Sequence, residues 1–265
     1  MVPTAPVAPT TPMRASLRIL ALSGAVLATD IGATSVDLDD DIAKVSLVGA
    51  GMKSHPGVAA DMFEALAEAG INLEIISTSS IRVSCVVRAS FNESEGTRIV
   101  EEGDLMLEKA ILSGVTHDVS EAKATIVSVP DSPGIAARVF RALADAGVNI
   151  DMIVQNVSEH GHATISFTMP KTDLAVAEPI LQSTARELGA RRVETDPDIA
   201  KVSLIGAGMK SHPGVAADMF DALAETGINL EIISTSSIRV SCVVRAAEVE
   251  RAVHAVHERF GLGDA

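Results

Sequence analysis

The chain has 265 residues, 47% of them hydrophobic and 21% charged, a composition that belongs to a folded protein and excludes disorder over the chain as a whole. A formal net charge of −14 supplies no basic surface to neutralise phosphates and argues against nucleic acid as a partner. Trp and Tyr are absent and Phe occurs six times, so the stacking platforms of single-strand binders are missing too, and the core must be Val, Ile, Leu, Ala and Met.

In chain order, the Pro- and Thr-rich stretch Val2–Pro12 opens a segment, residues 1–40, expected to be a disordered tail. The apolar run Leu17–Ala28 imitates a signal-peptide core but is too short to span a bilayer as a helix; the expected location is the cytoplasm, with no membrane contact. Asp41–Ala89 then recurs as Asp198–Ala246, the two differing at only Val48/Ile205, Glu64/Asp221 and Ala69/Thr226. A diverged third copy starts at Lys123, so the chain reads as three modules. Cys85 and Cys242 hold equivalent places, so duplication explains the even count and no disulfide framework is implied.

Each module opens with a β-rich run (Val45–Val48, Ala124–Val129, Val202–Ile205) and passes through a Gly/Pro loop into a helical period. Val215, Met219, Ala222 and Leu223 share one helical face, as do Ile135, Val139, Ala142 and Leu143. Gly70, Gly147 and Gly227 are placed to stop these helices. A second strand is expected from Ile71 to Ser77. A third alternates Val83/Cys85/Val87 against Arg82/Ser84/Arg88, which predicts a sheet with one covered face. A second helix follows in the middle module (Leu174, Ala177, Leu181, Thr184, Leu188) and in the last (Val249, Val253, Val256, Phe260). The order βαββα with a closing strand predicts an α+β fold, ferredoxin-like βαββαβ modules in tandem. The domains expected are 41–89, 123–192 and 198–265. The first copy meets turn-forming and charged residues where its second helix should begin. It is a truncated module, expected to borrow a neighbour's strand, to pair with another chain, or to be less stable than its twin.

SFNESEGT at 90–97, EKAILSGVTHDVSEAKATI at 108–126, VPDSPGIAARVF at 129–140, GVNIDMIVQN at 147–156 and GAGMKSHPGVAADMF at 206–220 together resemble the regulatory part of aspartate kinase, covering residues 90–265 almost continuously. The resemblance implies tandem small amino-acid-binding domains, called ACT domains, packed side by side with effectors at their interface. It further implies that the linker 90–122 contains a strand, Ile111–Val115, shared with the last module's sheet. That family's catalytic domain opens with a Lys-Phe-Gly-Gly type motif that has no counterpart in this sequence, and the duplicated module stands where the end of that domain should lead into SFNESEGT. The implied function is an allosteric region sensing lysine and/or threonine, as a homodimer or with an aspartate kinase catalytic subunit, without cofactor. The alternatives are retained aspartate kinase activity or a dimerisation scaffold without ligand.

The loop from first strand to first helix is the candidate site. In the middle module it holds Asp131, Pro133, Gly134, Ile135 and Ala136 and places free backbone amides at a helix N-terminus, which attracts a carboxylate. Asp131, with Asn149 and Asp151, is suited to the α-ammonium of the same ligand. The same residues also fit a plain helix start, with Asp131 and Ser132 capping and Pro133 in the first turn. In the last module Met209, Lys210, Ser211, His212, Gly214 and Val215, followed by Asn229 and Glu231, offer a cation and an imidazole in the same place, against the alternative of Ser211 capping beside a solvated Lys210. Lys53, Ser54, His55 and Gly57 are the first copy's equivalents. Gln155 and Asn156 resemble the family's Gln-Asn pair, whose side-chain amides bind effector or hold an interface. GAGMKS, at 49–54 and 206–211, lacks the spacing of a phosphate loop. His160/His162 and His254/His257 lack the additional ligands of a metal site, and no catalytic constellation is legible.

Overall fold

The computed structural model describes residues 41–48, 57–79, 82–88, 111–157, 161–207, 214–236 and 238–262, with single positions 33, 39, 209 and 212. Residues 1–42 form one unit and 43–265 another. The expected N-terminal tail, the stretch 17–28 and the words at 49–54 and 90–97 lie outside the described residues.

The first module supplies strand β1 (Ile42–Val48), helix α1 (Val58–Glu68), β2 (Ile75–Ser79) and β3 (Arg82–Arg88). Strand β4 (Ile111–Asp118) follows. The middle module is β5 (Glu121–Pro130), α2 (Ile135–Asp145), β6 (Ile153–Val157), β7 (His162–Pro170), α3 (Leu174–Glu187) and β8 (Arg192–Asp196). The last module is β9 (Ile199–Ala207), α4 (Val215–Glu225), β10 (Ile232–Thr235), β11 (Arg239–Arg245) and α5 (Val249–Arg259). Gly147 ends α2 at φ 75, in the left-handed region that only Gly enters without steric cost. The second strand starts later than its apolar run suggests, at Ile75 and not Ile71, which leaves Asn72 and Leu73 as irregular backbone.

Among the described residues, strands β2 to β11 pair antiparallel. The first and middle modules share one seven-stranded sheet, ordered β1-β3-β2-β6-β7-β5-β8, and the last module forms a four-stranded sheet, β10-β11-β9-β4. The truncated first module thus solves its exposed edge by pairing β2 with β6, Ile76 opposite Gln155 and Ser77 opposite Val154. In the last sheet the position closed by β8 in the middle module is filled by β4, which pairs with β9 along its length around an irregularity at Leu112/Gly114.

One core lies between the large sheet and α1, α2 and α3, with Phe63, Ile76, Phe140, Phe167 and Leu181 buried in it. Phe140 carries it across the modules, its ring 5.6 Å from Phe63 and 5.3 Å from Phe167, each pair adding about 0.5–1.5 kcal/mol beyond simple burial. A second core, around Met219, Leu223, Cys242 and Val256, lies under α4 and α5.

The expectation of one covered sheet face needs correction, because the two sheets also stack on each other. Met152, Ile199, Ile232 and Val243 form a small apolar cluster between them. Around it, polar side chains that alternation assigns to solvent are buried in pairs: Ser203 and Ser241 hydroxyls lie 2.8 Å apart, and Ser234 Oγ donates to the Thr78 carbonyl at 2.8 Å. Partners of this kind make burial of polar groups tolerable.

Candidate functional site

The seam between the first and middle modules is assembled by β2 and β6 below and by α1 and α2 above. Each helix starts against the last turn of the other. A Cβ built on Gly57 would lie 3.7 Å from Ala144 Cβ, and one on Gly134 3.6 Å from Ala67 Cβ. Arg141 of α2 reaches Asp61 and Glu64 of α1 at 2.5 and 2.6 Å, and its guanidinium is held above its ordinary pKa by the hydrogen bonds to Asp61 and then Glu64.

A narrow cleft opens here, lined among others by Asn72, Leu73, Asp131, Ser132, Gly134, Ile135 and Gln155. Its wall is set by a break in β5: the register against β7 shifts between Ile126 and Val129, with Ser128 at φ 60. A bulge of this type re-aims the chain that follows. Asp131 consequently leaves its own helix. Its N–H donates to the Gly161 carbonyl at 3.0 Å, and its Oδ1 accepts from Asn72 Nδ2 of the first module at 3.0 Å. Helix α2 begins instead at Gly134, φ 90, with no side-chain cap. The first-turn amides of α2, at Ala136 and Ala137, are those an α-helix leaves without an internal acceptor. Gln155 is buried and donates from Nε2 to the Leu73 carbonyl at 2.7 Å, fixing the irregular segment before β2.

The other expected site residues are placed as follows. Pro133 and Asn156 are exposed, and Asn149, half-buried, holds in the middle module the place Asn72 holds in the first. Asp151 and Glu231 do not face the cleft. They lie between the stacked sheets, Asp151 paired with Lys201 and Glu231 with Lys123 and, at 3.1 Å, with Arg245. The pairs are reciprocal, since Lys123 and Lys201, like Asp151 and Glu231, occupy equivalent places in their modules. In the last module Met209 is packed into the core, His212 is half-buried, Gly214 starts α4 at φ 106, Val215 is partly buried and Asn229 is exposed. Lys210 and Ser211, like Lys53, Ser54 and His55, lie outside the described residues. Asn72 escaped sequence reasoning although its twins Asn149 and Asn229 did not; its identity with Asn229 across the duplication was the available signal.

The inter-sheet charges are strongly coupled. Lys201 Nζ also lies 2.5 Å from Glu121 and 3.8 Å from Asp118. Burial works against its ammonium, but Asp151 and Glu121 outweigh that and hold its pKa above the ordinary value. Glu121 is pushed up from the carboxylate range, first by burial and then by Asp151, with Lys201 offsetting only part. Glu231 is disfavoured by burial yet ends below its ordinary pKa, because Lys123 and Arg245 bond its carboxylate.

Family models described as ACT domain match residues 45–93 and 202–260 and, for a second model, 123–189, together well over half the chain. The chain belongs to the ACT-domain family. Its ACT modules are homologous to the regulatory region of aspartate kinases. Over 181 residues the chain is 51% identical to the aspartokinase of Mycolicibacterium smegmatis, a match spanning 67% of this chain and 43% of that protein. The regulatory subunit of aspartate kinase from Thermus thermophilus, in its ligand-free form, superposes with a TM-score of 0.54 at 42% identity, covering 56% of this chain and 98% of that one. Aspartate kinase from Synechocystis superposes with a TM-score of 0.76 at 38% identity, covering 86% of this chain and 41% of that one. The chain thus spans less than half the length of the aspartokinases it matches. Among the described residues no helix is long and apolar enough to cross a membrane, and no group of three or more His, Cys, Asp or Glu side chains is arranged for a metal ion.

Proposed function

We propose that this chain is an amino-acid-sensing regulatory region of the aspartate-kinase kind, binding lysine and/or threonine in the seam between its first and middle ACT modules. The observation that carries this reading is Asp131. Its carboxylate is turned across the seam to Asn72 and away from the helix it was placed to cap, so an acidic side chain and uncapped helix amides face one cleft. A ligand carrying both an ammonium and a carboxylate matches that pair: the carboxylate takes the first-turn amides of Ala136 and Ala137, and the ammonium takes Asp131. Gln155 holds the floor of the cleft by fixing Leu73, while Gly134 allows the close approach of backbone to ligand.

Such a ligand touches both modules, so its affinity depends on how they are set against each other. That differential affinity is the coupling by which it would favour one arrangement and inhibit an attached or associated aspartate kinase in the cytoplasm. Isothermal titration of the whole chain with lysine and with threonine tests the reading. Saturable binding at millimolar or lower concentration, lost in Asp131→Ala, supports it; no heat with any proteinogenic amino acid overturns it.

A further inference from the structure

The stack between the middle and last modules carries two ionic clusters, and they are not alike. Lys123 and Lys201 occupy equivalent places in their modules, but two residues earlier the chain has Glu121 in one and Ile199 in the other. The neighbours across the strand differ as well, Pro170 opposite Glu121 and Arg245 opposite Ile199. Around Lys123 the outcome is balanced, because Lys123 and Arg245 face Glu231 and Asp196. Around Lys201 it is not. Asp118, Glu121 and Asp151 converge on that one ammonium, with Glu121 Oε1 at 2.5 Å and Asp118 Oδ2 at 3.8 Å, and Lys201 and Glu121 are only 5% and 6% exposed.

Arg239 of β11 lines the small cavity onto which Asp151 and Lys201 open, which sets two cations against three carboxylates. One proton restores neutrality. The hydrogen bonds call for the same proton: Glu121 Oε2 is buried with no partner among the described residues, while the Asp151 carboxyl lies within hydrogen-bonding reach of Glu121. Two carboxylates can only accept, whereas a carboxylic acid donates to a carboxylate, and adjoining carboxyls in a buried site resist ionising together. Burial and then Asp151 accordingly hold Glu121 above the carboxylate range. The other charged groups near Glu121 are Lys171 after β7, whose N–H donates to the Ser120 carbonyl at 2.8 Å, and the balanced group around Lys123.

The contact these charges join is otherwise light. Its apolar part is Met152, Ile199, Ile232 and Val243 with Val154 beside them, and Ser234 bonds the Thr78 carbonyl at its margin. Two-residue connections, Val119–Ser120 and Pro197–Asp198, tie the strands of one sheet to those of the other, so the last module can rotate about them without unfolding. We propose that Glu121 and Asp151 hold one proton between them, and that its release turns the last module's sheet away from the middle one. Without the proton, two buried carboxylates adjoin on one ammonium, and rotation relieves them by admitting water. The arrangement of the modules then answers to acidity as a second input, whether or not an amino acid fills the first seam.

The test follows the side-chain carboxyl carbons of Glu121 and Asp151 by NMR across pH in the full chain. In parallel, spin labels on Gln182→Cys and Glu250→Cys, exposed on α3 and α5, report the spacing of the two modules, the native cysteines being buried. Both carboxyl carbons should titrate in one shared step above that of exposed carboxyls, and a second label distance should appear in that step. Glu121→Gln donates to Asp151 at every pH and should keep the single distance throughout. Asp151→Asn removes the competing carboxylate, should also keep the single distance, and should return Glu121 toward the exposed carboxyls; it serves as the comparison if Glu121→Gln does not fold. The proposal is overturned if Glu121 ionises together with the exposed carboxyls, if the shared proton leaves with no change in label distance, or if either folded variant acquires the second distance as the parent does.

Discussion

Asn72 Nδ2 donates to Asp131 Oδ1 at 3.0 Å across the seam between two modules, 59 residues apart in sequence. This bond orients the carboxylate that the proposed ligand would meet. Removing a hydrogen bond to a charged group costs about 1.5–3 kcal/mol, so Asp131→Ala and Asn72→Ala should each weaken amino-acid binding by roughly tenfold or more. Asn229→Ala, the same residue in the last module, sits exposed beside an open edge and should leave the affinity unchanged. Titration calorimetry of the three variants compares them directly; an effect of Asn229→Ala equal to that of Asn72→Ala would move the site to the last module.

The duplication provides a second internal control. Lys201 is 5% exposed and lies among Asp151, Glu121 and Asp118, whereas Lys44, its twin, is exposed. Removing one partner of a buried ion pair leaves uncompensated charge and costs about 3–5 kcal/mol. Lys201→Met should therefore lower unfolding stability by about that much, and Lys44→Met should stay within about 0.5 kcal/mol of the parent, as surface changes do. Urea titrations of the two variants measure both. A Lys44→Met cost as large as that of Lys201→Met would mean the first module's face is covered in solution.

These controls mark where sequence reasoning reached and where it stopped. Elements were legible because alternation and helical period are local: Cys85 and Val87 point into the core as the pattern required, and Leu181 and Thr184 line the buried face of α3. The stacking of the two sheets was not legible. Ser203 and Ser241 look like solvent-facing residues until they lie under another layer, where each finds its partner in the other on a neighbouring strand. The sequence does not separate Asp151 and Glu231 from effector ligands for the same reason, since a carboxylate at the start of a strand looks alike whether it meets an effector or a lysine from another module. Identical sequence in two surroundings, Ile76 at 0% and Ile233 at 44% exposed, sets the limit: one repeat does not encode which neighbour it will have.

The inter-sheet carboxyls make opposite demands on pH. Glu121 has a folded pKa above its ordinary value, so the folded chain holds that proton more tightly than the unfolded one. Its contribution is full below the ordinary carboxylate range of about 4 and is lost as pH rises through the raised folded value. Asp196, bonded by Arg245, and Glu231 have lowered pKa values; their contributions are present above the ordinary range and lost as pH falls through the depressed values. Glu121→Gln mimics the protonated form and keeps a donor for Asp151. It should flatten the decline that begins above the ordinary carboxylate range and leave the acid-side loss in place. Urea midpoints followed across pH decide the matter, and an unchanged decline above the ordinary carboxylate range would remove Glu121 from the account.

Cys85 and Cys242 occupy equivalent strands and are both fully buried. Burial pushes each thiol up to about 12, so almost no thiolate exists near neutrality, and the thiolate is the reactive form. Neither should react with a thiol reagent at pH 8 in native protein beyond the rate set by local opening, and both should react at once in denaturant. Because the two cysteines report different modules, Cys85→Ser and Cys242→Ser make each readable alone. A single-cysteine variant that reacts quickly under native conditions would show that its strand, β3 or β11, opens far more often than its packing against the helices implies.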